Sequence, residues 1–236
     1  MRVRRIVEAV CLAVFAGVGA AAPASAQQML SFSAGGFVVN GEDARVDGDV
    51  LVANRDLFGF DIKDFNSGSI GVEWLLPFGE FFEGGVGAAF TSRTVPSVYT
   101  DFVNRDGSEI EQDIKLRVAP VTVTLRAVPF GRSRPVQLYV GGGVGFFAYR
   151  YSEVGDFVDF TDRSVFHDQF VSTGTQVGGV GLVGVRFPIG DALSVGGEVR
   201  YQHARASLPD DFLGSKLHRA IQSMWPGVIV HADEWL

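Results

Sequence analysis

The residues with capacity for chemistry are few and scattered. Gly179-Val180-Gly181-Leu182-Val183-Gly184 matches the dinucleotide pattern G-x-G-x-x-G, whose glycines let a pyrophosphate approach the start of a helix. Here the apolar run continues through Val185 and Phe187 to Pro188, so these are read as strand glycines. His167, His203, His218 and His231 lie far apart without ligand spacing, and the single cysteine, Cys11, falls in the N-terminal apolar stretch; no zinc site is expected. Glu198, His203 and Ser207 supply the residue types of a hydrolytic triad. Glu198 and His203, however, are an odd number of positions apart and fall on opposite faces of a regular strand. No catalytic residue, cofactor site or metal site is predicted.

Acidic segments are the other chemical resource. Residues 40–66 hold seven acids against three bases, 95–111 four against one, and 152–170 five against one. Glu153, Asp156, Asp159 and Asp162 recur at every third position, and loop carboxylates can bind Ca²⁺ or bridge through divalent ions to anionic lipid headgroups. The spacing is not that of an EF-hand, so a solvated acidic exterior is the main reading, with divalent cations at these loops as a secondary expectation. Residues 40–66 also carry Leu51, Val52, Leu57, Phe58, Phe60, Ile62 and Phe65, too apolar a set for a freely solvated segment. That first loop folds over a barrel mouth, extends strands above a membrane, or contacts a partner.

Composition narrows the class of molecule. The 236 residues include 30 Gly and 20 Phe, are 47% apolar and 20% charged, and carry a net charge of -7. Such a chain must bury apolar surface. One cysteine excludes a disulfide scaffold, and the negative charge argues against nucleic acid, whose phosphates need an excess of Lys and Arg. Met1-Arg2-Val3-Arg4-Arg5, the apolar stretch from Ile6 to Val18 and Ala24-Ser25-Ala26 read together as a secretory signal peptide over residues 1–26. The mature chain, residues 27–236, then has no cysteine and a net charge of -9, since three bases and one acid leave with the leader.

Organisation follows from a repeat. Pro77-Phe78-Gly79, Pro129-Phe130-Gly131 and Pro188-Ile189-Gly190 each follow an apolar residue and precede a run containing a Gly pair, at Gly84-Gly85, Gly141-Gly142 and Gly196-Gly197. Proline cannot donate to a ladder and glycine permits positive φ, so each is read as a tight hairpin turn. Between these turns lie the long polar stretches 95–111 and 152–170. Short turns at one end and long loops at the other is the asymmetry of an up-and-down transmembrane barrel.

Alternation supports this strand by strand. Leu193, Val195, Val199 and Tyr201 oppose Ser194, Glu198, Arg200 and Gln202; Ile70, Val72, Trp74 and Leu76 oppose Glu73; Phe82, Val86, Ala88 and Phe90 oppose Glu83 and Arg93. In 136–149, Val136, Leu138, Val140, Val144 and Phe146 oppose Gln137, Tyr139, Gly141, Gly143 and Gly145. Near Ala119-Pro120 the apolar set slips from even positions (Ile114, Leu116, Val118) to odd ones (Val121, Val123, Leu125), which predicts a β-bulge there. The polar faces carry Glu73, Glu83, Lys115, Arg117, Arg186, Glu198 and Arg200. Charges of both signs among small residues fit a paired network filling an eight-strand lumen. Aromatics gather at strand ends in two groups: Phe146, Phe147, Tyr149 and Tyr151, and Trp74, Phe78, Phe81, Phe82 and Phe130. They are read as interfacial girdles.

The segments MLSFSAGG (29–36), LRVAPVT (116–122), YVGGGVG (139–145) and GEVRY (197–201) resemble the outer-membrane β-barrel domain family of Gram-negative-type bacteria, the broad group of small OmpA-, OmpX- and OmpW-type barrels. The resemblance covers residues 28–216 and implies an all-β, up-and-down antiparallel transmembrane barrel of about eight strands in the outer membrane. Its motifs are architectural and carry no catalytic residue. Barrels of this kind close with an alternating strand ending in an aromatic residue. This chain ends Val228-Ile229-Val230-His231-Ala232-Asp233-Glu234-Trp235-Leu236, with Pro226 before it and a helix-like spacing of Leu217, Ile221 and Met224. Residues 217–236 are therefore a doubtful closing strand: the tail has diverged, or the reading frame has changed near residue 217.

The function expected from these observations is a structural or interaction role in the bacterial cell envelope. The expected partners are outer-membrane lipids, lipopolysaccharide and the barrel-insertion machinery, and the expected state is a monomer. An alternative is a narrow channel for small or apolar solutes, using the space left by lumen glycines 141, 143, 145 and 178. A lipid-modifying enzyme using His203 is the third reading.

Overall fold

The computed structural model describes residues 28–39, 50–159, 162–190, 193–204, 223–224 and 230–235. β1 (Met29–Val39) leads to a short helix α1 (Val50–Leu57) and a 3-10 turn (Ile62–Phe65). Then come β2 (Ser67–Phe78), β3 (Phe82–Val103), β4 (Glu109–Ala127), β5 (Gln137–Val158), β6 (Val165–Ile189) and β7 (Leu193–Ala204). Each pairs antiparallel with the next. Two late segments complete the set: β8 (Ser223–Met224) pairs with Val38 and Val39, and the backbone of β9 (Val230–Trp235) pairs with residues 29–34 on one side and 193–196 on the other. β9 thus gives both β1 and β7 a partner along their outer edges, which matters because an unpaired edge in lipid leaves backbone groups unsatisfied. The helix-like spacing at 217–222 lies outside the described residues.

The three Pro-apolar-Gly segments are the tight turns. Gly79, Gly131 and Gly190 adopt φ of +70°, +80° and +70°, a region that side chains with a Cβ rarely enter. At the other end the strands run further than the sequence suggests. Stretches 95–111 and 152–170 are not long loops. β3 and β4 continue to a connection at 104–108, and β5 and β6 to one at 159–164.

The reason is a change in what lies inside the barrel. Along β4, every even residue from Ile110 to Arg126 is buried, without interruption. In the upper half these are Ile110, Gln112, Ile114, Leu116 and Val118, apolar but for Gln112; Pro120 follows, and in the lower half they are Thr122, Thr124 and Arg126. The outward face inverts at the same height: Glu111, Asp113 and Arg117 above are exposed, and so are Val121, Val123 and Leu125 below. No bulge occurs at Ala119-Pro120. Ala88↔Val121 and Thr91↔Val118 keep one register on one side, and pairing with Ala148 and Phe147 continues on the other. The apolar residues change face because the surroundings change from lipid to water, while the strand stays regular. From Ala119 to Ala127 the strand rises about 27 Å, which at a tilt of about 40° spans about 21 Å, most of an apolar band roughly 25 Å tall.

A second layer of chain fills the upper interior. Leu51, Phe58, Phe60, Ile62 and Phe65 from the first loop are buried against Val95, Tyr99, Ile114, Leu116, Tyr151 and Phe157 of the strands. Phe58 stands edge-on to Tyr99 at 4.8 Å, and Phe60 edge-on to Phe65 at 5.6 Å. Gly59 donates to the Val98 carbonyl at 2.8 Å, at the place where β3 leaves β4: their register shifts between Val98 and Val103. The first loop therefore folds over and into the barrel mouth.

Candidate functional site

Two buried polar groups stand out, one in each tier. In the lower tier, charged or polar side chains enter the lumen from β1 through β7, among the described residues. Arg126 on β4 is bonded to Glu73 on β2 and lies 3.0 Å from Glu198 Oε2 on β7. Arg200 closes the square, with Nη2 2.9 Å from Glu73 Oε2 and Nε 2.8 Å from Glu198 Oε1. Thr124 Oγ1 donates to Glu73 Oε1 at 3.1 Å. Nearer the turns, Arg186 grips both oxygens of Glu83 at 2.7 and 2.9 Å and donates to Gln137 Oε1 at 3.1 Å, and Arg132 reaches Glu83 at 3.2 Å. The Tyr139 ring lies between the two groups, 4.9 Å from the Arg126 guanidinium carbon and 5.6 Å from that of Arg186. Two carboxylates and two guanidiniums make the square neutral, and such neutrality lets charges stay buried.

The structure thus brings together Glu73, Glu83, Arg186, Glu198 and Arg200, and it separates Lys115 and Arg117 from them. Both of these lie on the outward face of β4, above the apolar belt. Their assignment to the lumen followed from assuming that the apolar face is outermost along the whole strand. The residue missed was Arg126. Its signal is in the sequence: Thr122, Thr124 and Arg126 alternate with Val121, Val123 and Leu125 and share parity with Ile110. The upper aromatic group is corrected likewise. Phe146 is exposed, but Phe147, Tyr149 and Tyr151 are buried inside, whereas Phe78, Phe81, Phe82 and Phe130 do form an exposed group at the turns.

The lumen glycines leave little space. A Cβ on Gly184 would stand 2.3 Å from the Tyr139 ring, and one on Gly145 would stand 2.9 Å from the Phe147 ring. These glycines are the surfaces on which inward aromatics lie.

In the upper tier, Asn54 of α1 donates through Nδ2 to Glu153 Oε1 at 2.6 Å and to Tyr151 OH at 2.8 Å, while Tyr151 donates to the same carboxylate oxygen at 2.8 Å. This contact fastens the loop to β5. Burial pushes the Glu153 carboxyl above its ordinary value, against the pull of those hydrogen bonds. The acidic series is therefore dispersed. Glu153 is inside, the Asp156 carboxylate accepts from His167 Nδ1 at 2.8 Å, and Asp162 accepts from the Ser164 amide. The Ser164 and Ser108 hydrogen bonds hold Asp162 and Asp106 below the usual carboxylate range. Among the described residues no three His, Cys, Asp or Glu side chains meet in a metal-binding arrangement. Glu198 points into the lumen, His203 is half-buried on the opposite, outward face, and Ser207 lies outside the described residues.

No match was found among curated proteins. Several solved structures are similar at low identity. Ail, the attachment invasion locus protein of Yersinia pestis, is 13% identical, with 89% of this chain and 97% of that one covered at a TM-score of 0.43. OprG from Pseudomonas aeruginosa is 14% identical, with 89% and 95% covered and a TM-score of 0.46. Neisserial surface protein A is 11% identical, with 89% and 96% covered and a TM-score of 0.45. The family model for the outer membrane protein beta-barrel domain matches residues 10–215, and with that match covering most of the sequence the chain belongs to the outer-membrane β-barrel domain family.

Proposed function

We propose that the chain is a structural and interaction component of the bacterial cell envelope, a monomeric barrel exported through the leader at residues 1–26 and seated among outer-membrane lipids by the insertion machinery. The observation that carries this reading is the doubly filled interior. Ion pairs span the lower lumen from β2 to β7, and the first loop packs apolar side chains into the upper one. Eight strands leave an interior just wide enough for side chains to fill, and of the glycines that would open a solute path Gly145 lies against the Phe147 ring, while Gly141, Gly143 and Gly178 lie close against the backbone of neighbouring strands. A catalytic role has no comparable support, because Glu198 is committed to Arg126 and Arg200.

Flux through liposomes tests the reading. Vesicles holding the refolded mature chain should pass small ions and small apolar solutes no faster than empty vesicles. Solute-selective flux above that background would replace the structural role with transport.

A further inference from the structure

We infer that the outward face of β4 and β5 holds a binding site for the phosphate groups of anionic membrane lipids, built from Lys115, Arg117 and Arg150. The inference rests on the membrane placement proposed above and gives it a specific lipid contact.

The outer face of β4 is stratified by charge. From the tip downward it presents Glu109, Glu111 and Asp113, then Lys115 and Arg117, then Ala119, Val121, Val123 and Leu125. The two cations therefore sit directly above the apolar belt, at the height where lipid headgroups begin. Arg150 joins them from β5, because Arg117 and Arg150 are direct cross-strand partners and Lys115 is diagonal to Arg150. Arg117 and Arg150 are both exposed.

Like charges directly opposite on a sheet face repel, so an anion seated between them would be favoured. The strands do not supply one at this height. Arg117 is flanked on β3 by Ser92, and Arg150 on β6 by Thr173; the row above holds Thr94, Ser152 and Val171, and the row below Ala119, Ala148 and Thr175. The nearest carboxylate on this face is Asp113, one row above Lys115, and no ion pair from Arg117 or Arg150 occurs among the described residues. Two guanidiniums side by side match phosphate geometry, each presenting a planar fork of donors. Hydroxyls at Ser92 and Thr173 extend the same row. A chain that is acidic overall, with exposed acids at its tips, thus concentrates cations where a lipid phosphate arrives from the side.

The test places the full mature chain in phosphatidylcholine nanodiscs with and without lipid A, and uses native mass spectrometry to read the lipid kept after release. The wild-type chain should retain lipid A over phosphatidylcholine. The Arg117→Gln/Arg150→Gln variant should lose that preference by about thirtyfold, taking about fivefold for each cation at the surface. Arg134→Gln, at the turn end, should leave it unchanged. Equal retention by the double variant and the wild type overturns the site. A wild-type chain that keeps dephosphorylated lipid A equally well overturns it without any variant, and so does displacement by inorganic phosphate at matching concentration, which would identify a soluble anion as the ligand. A chain that enters neither kind of disc contradicts the membrane placement itself, a separate and distinguishable failure.

Discussion

Arg126 holds the lower lumen together because it faces two carboxylates, Glu73 and Glu198, from a buried position. Removing one member of a buried ion network leaves charge without a partner, and the usual cost is about 3–5 kcal/mol. Arg126→Ala should therefore lower the unfolding free energy of the refolded protein by that order, read as a lower urea midpoint, and Arg126→Lys should recover only part of it, since an ammonium lacks the fork that reaches both carboxylates. Arg117→Ala, on the outer wall, is the control and should leave the midpoint in detergent unchanged. Equal midpoints for Arg126→Ala and wild type would mean that the lumen charges are not paired as described. The same contrast shows what was legible at this scale. Alternation picks out Glu73, Glu83, Arg186, Glu198 and Arg200 because the neighbours of each on the other face of its strand are apolar: Val72 and Trp74, Phe82, Val185 and Phe187, and Val199 and Tyr201. Lys115, Arg117 and Arg126 lie on a strand whose apolar face changes sides between the tiers, as it also does along β3, where Phe82 and Phe90 face outward below and Val95 and Tyr99 inward above, and along β5.

At the scale of elements, period two is the same whether the apolar face looks inward or outward. β4 needs a further fact to be read correctly, namely that Phe58, Phe60, Ile62 and Phe65 fold into the barrel above residue 119. Their apolar character was visible, but the strands they would meet depend on tertiary packing. The tight turns were legible because glycine at positive φ is a local requirement. Asn54 and Glu153 fasten the helix α1 to β5, and this gives the plug a pH dependence. Glu153 lies above the apolar belt, and its carboxyl is raised from 4.5 by burial. The folded state therefore holds its proton more tightly than the unfolded state does. Plug docking should be firmest at and below pH about 4.5 and weaken as pH rises through the raised value. The protection of the Phe58 and Gly59 amides from hydrogen exchange, taken relative to the base-catalysed rate of an unstructured chain at each pH, should fall across that window, and Glu153→Gln should flatten the change while keeping an acceptor for Asn54. A fall of equal size in the variant would assign the effect to another group.

At the scale of the molecule, the barrel is two vertical halves with opposite solvent logic joined by continuous strands. The lower half has an apolar exterior and paired charges within; the upper half has a charged exterior and an apolar core plugged by its own first loop. Both depend on the ladder coming round from β7 through β9 to β1. Deleting residues 230–235 should leave β1 and β7 with open edges, so the heat-dependent gel shift of the folded full-length protein should disappear. A truncated chain that keeps the shift would show that β7 and β1 find each other directly.

β4 keeps one unbroken alternation while its environment inverts near residue 119, and site-by-site labelling reads both properties at once. Residues 27–236 contain no cysteine, so single cysteines can be placed along residues 110–125 of this span, refolded in vesicles, and probed with water-soluble and lipid-soluble thiol reagents. Odd positions 111–117 should react with the aqueous reagent and 119–125 with the lipid-soluble one, while even positions stay protected throughout. Protection at 115 and 117 together with reactivity at 114 and 116 would place a reversal of facing in the strand and contradict the account.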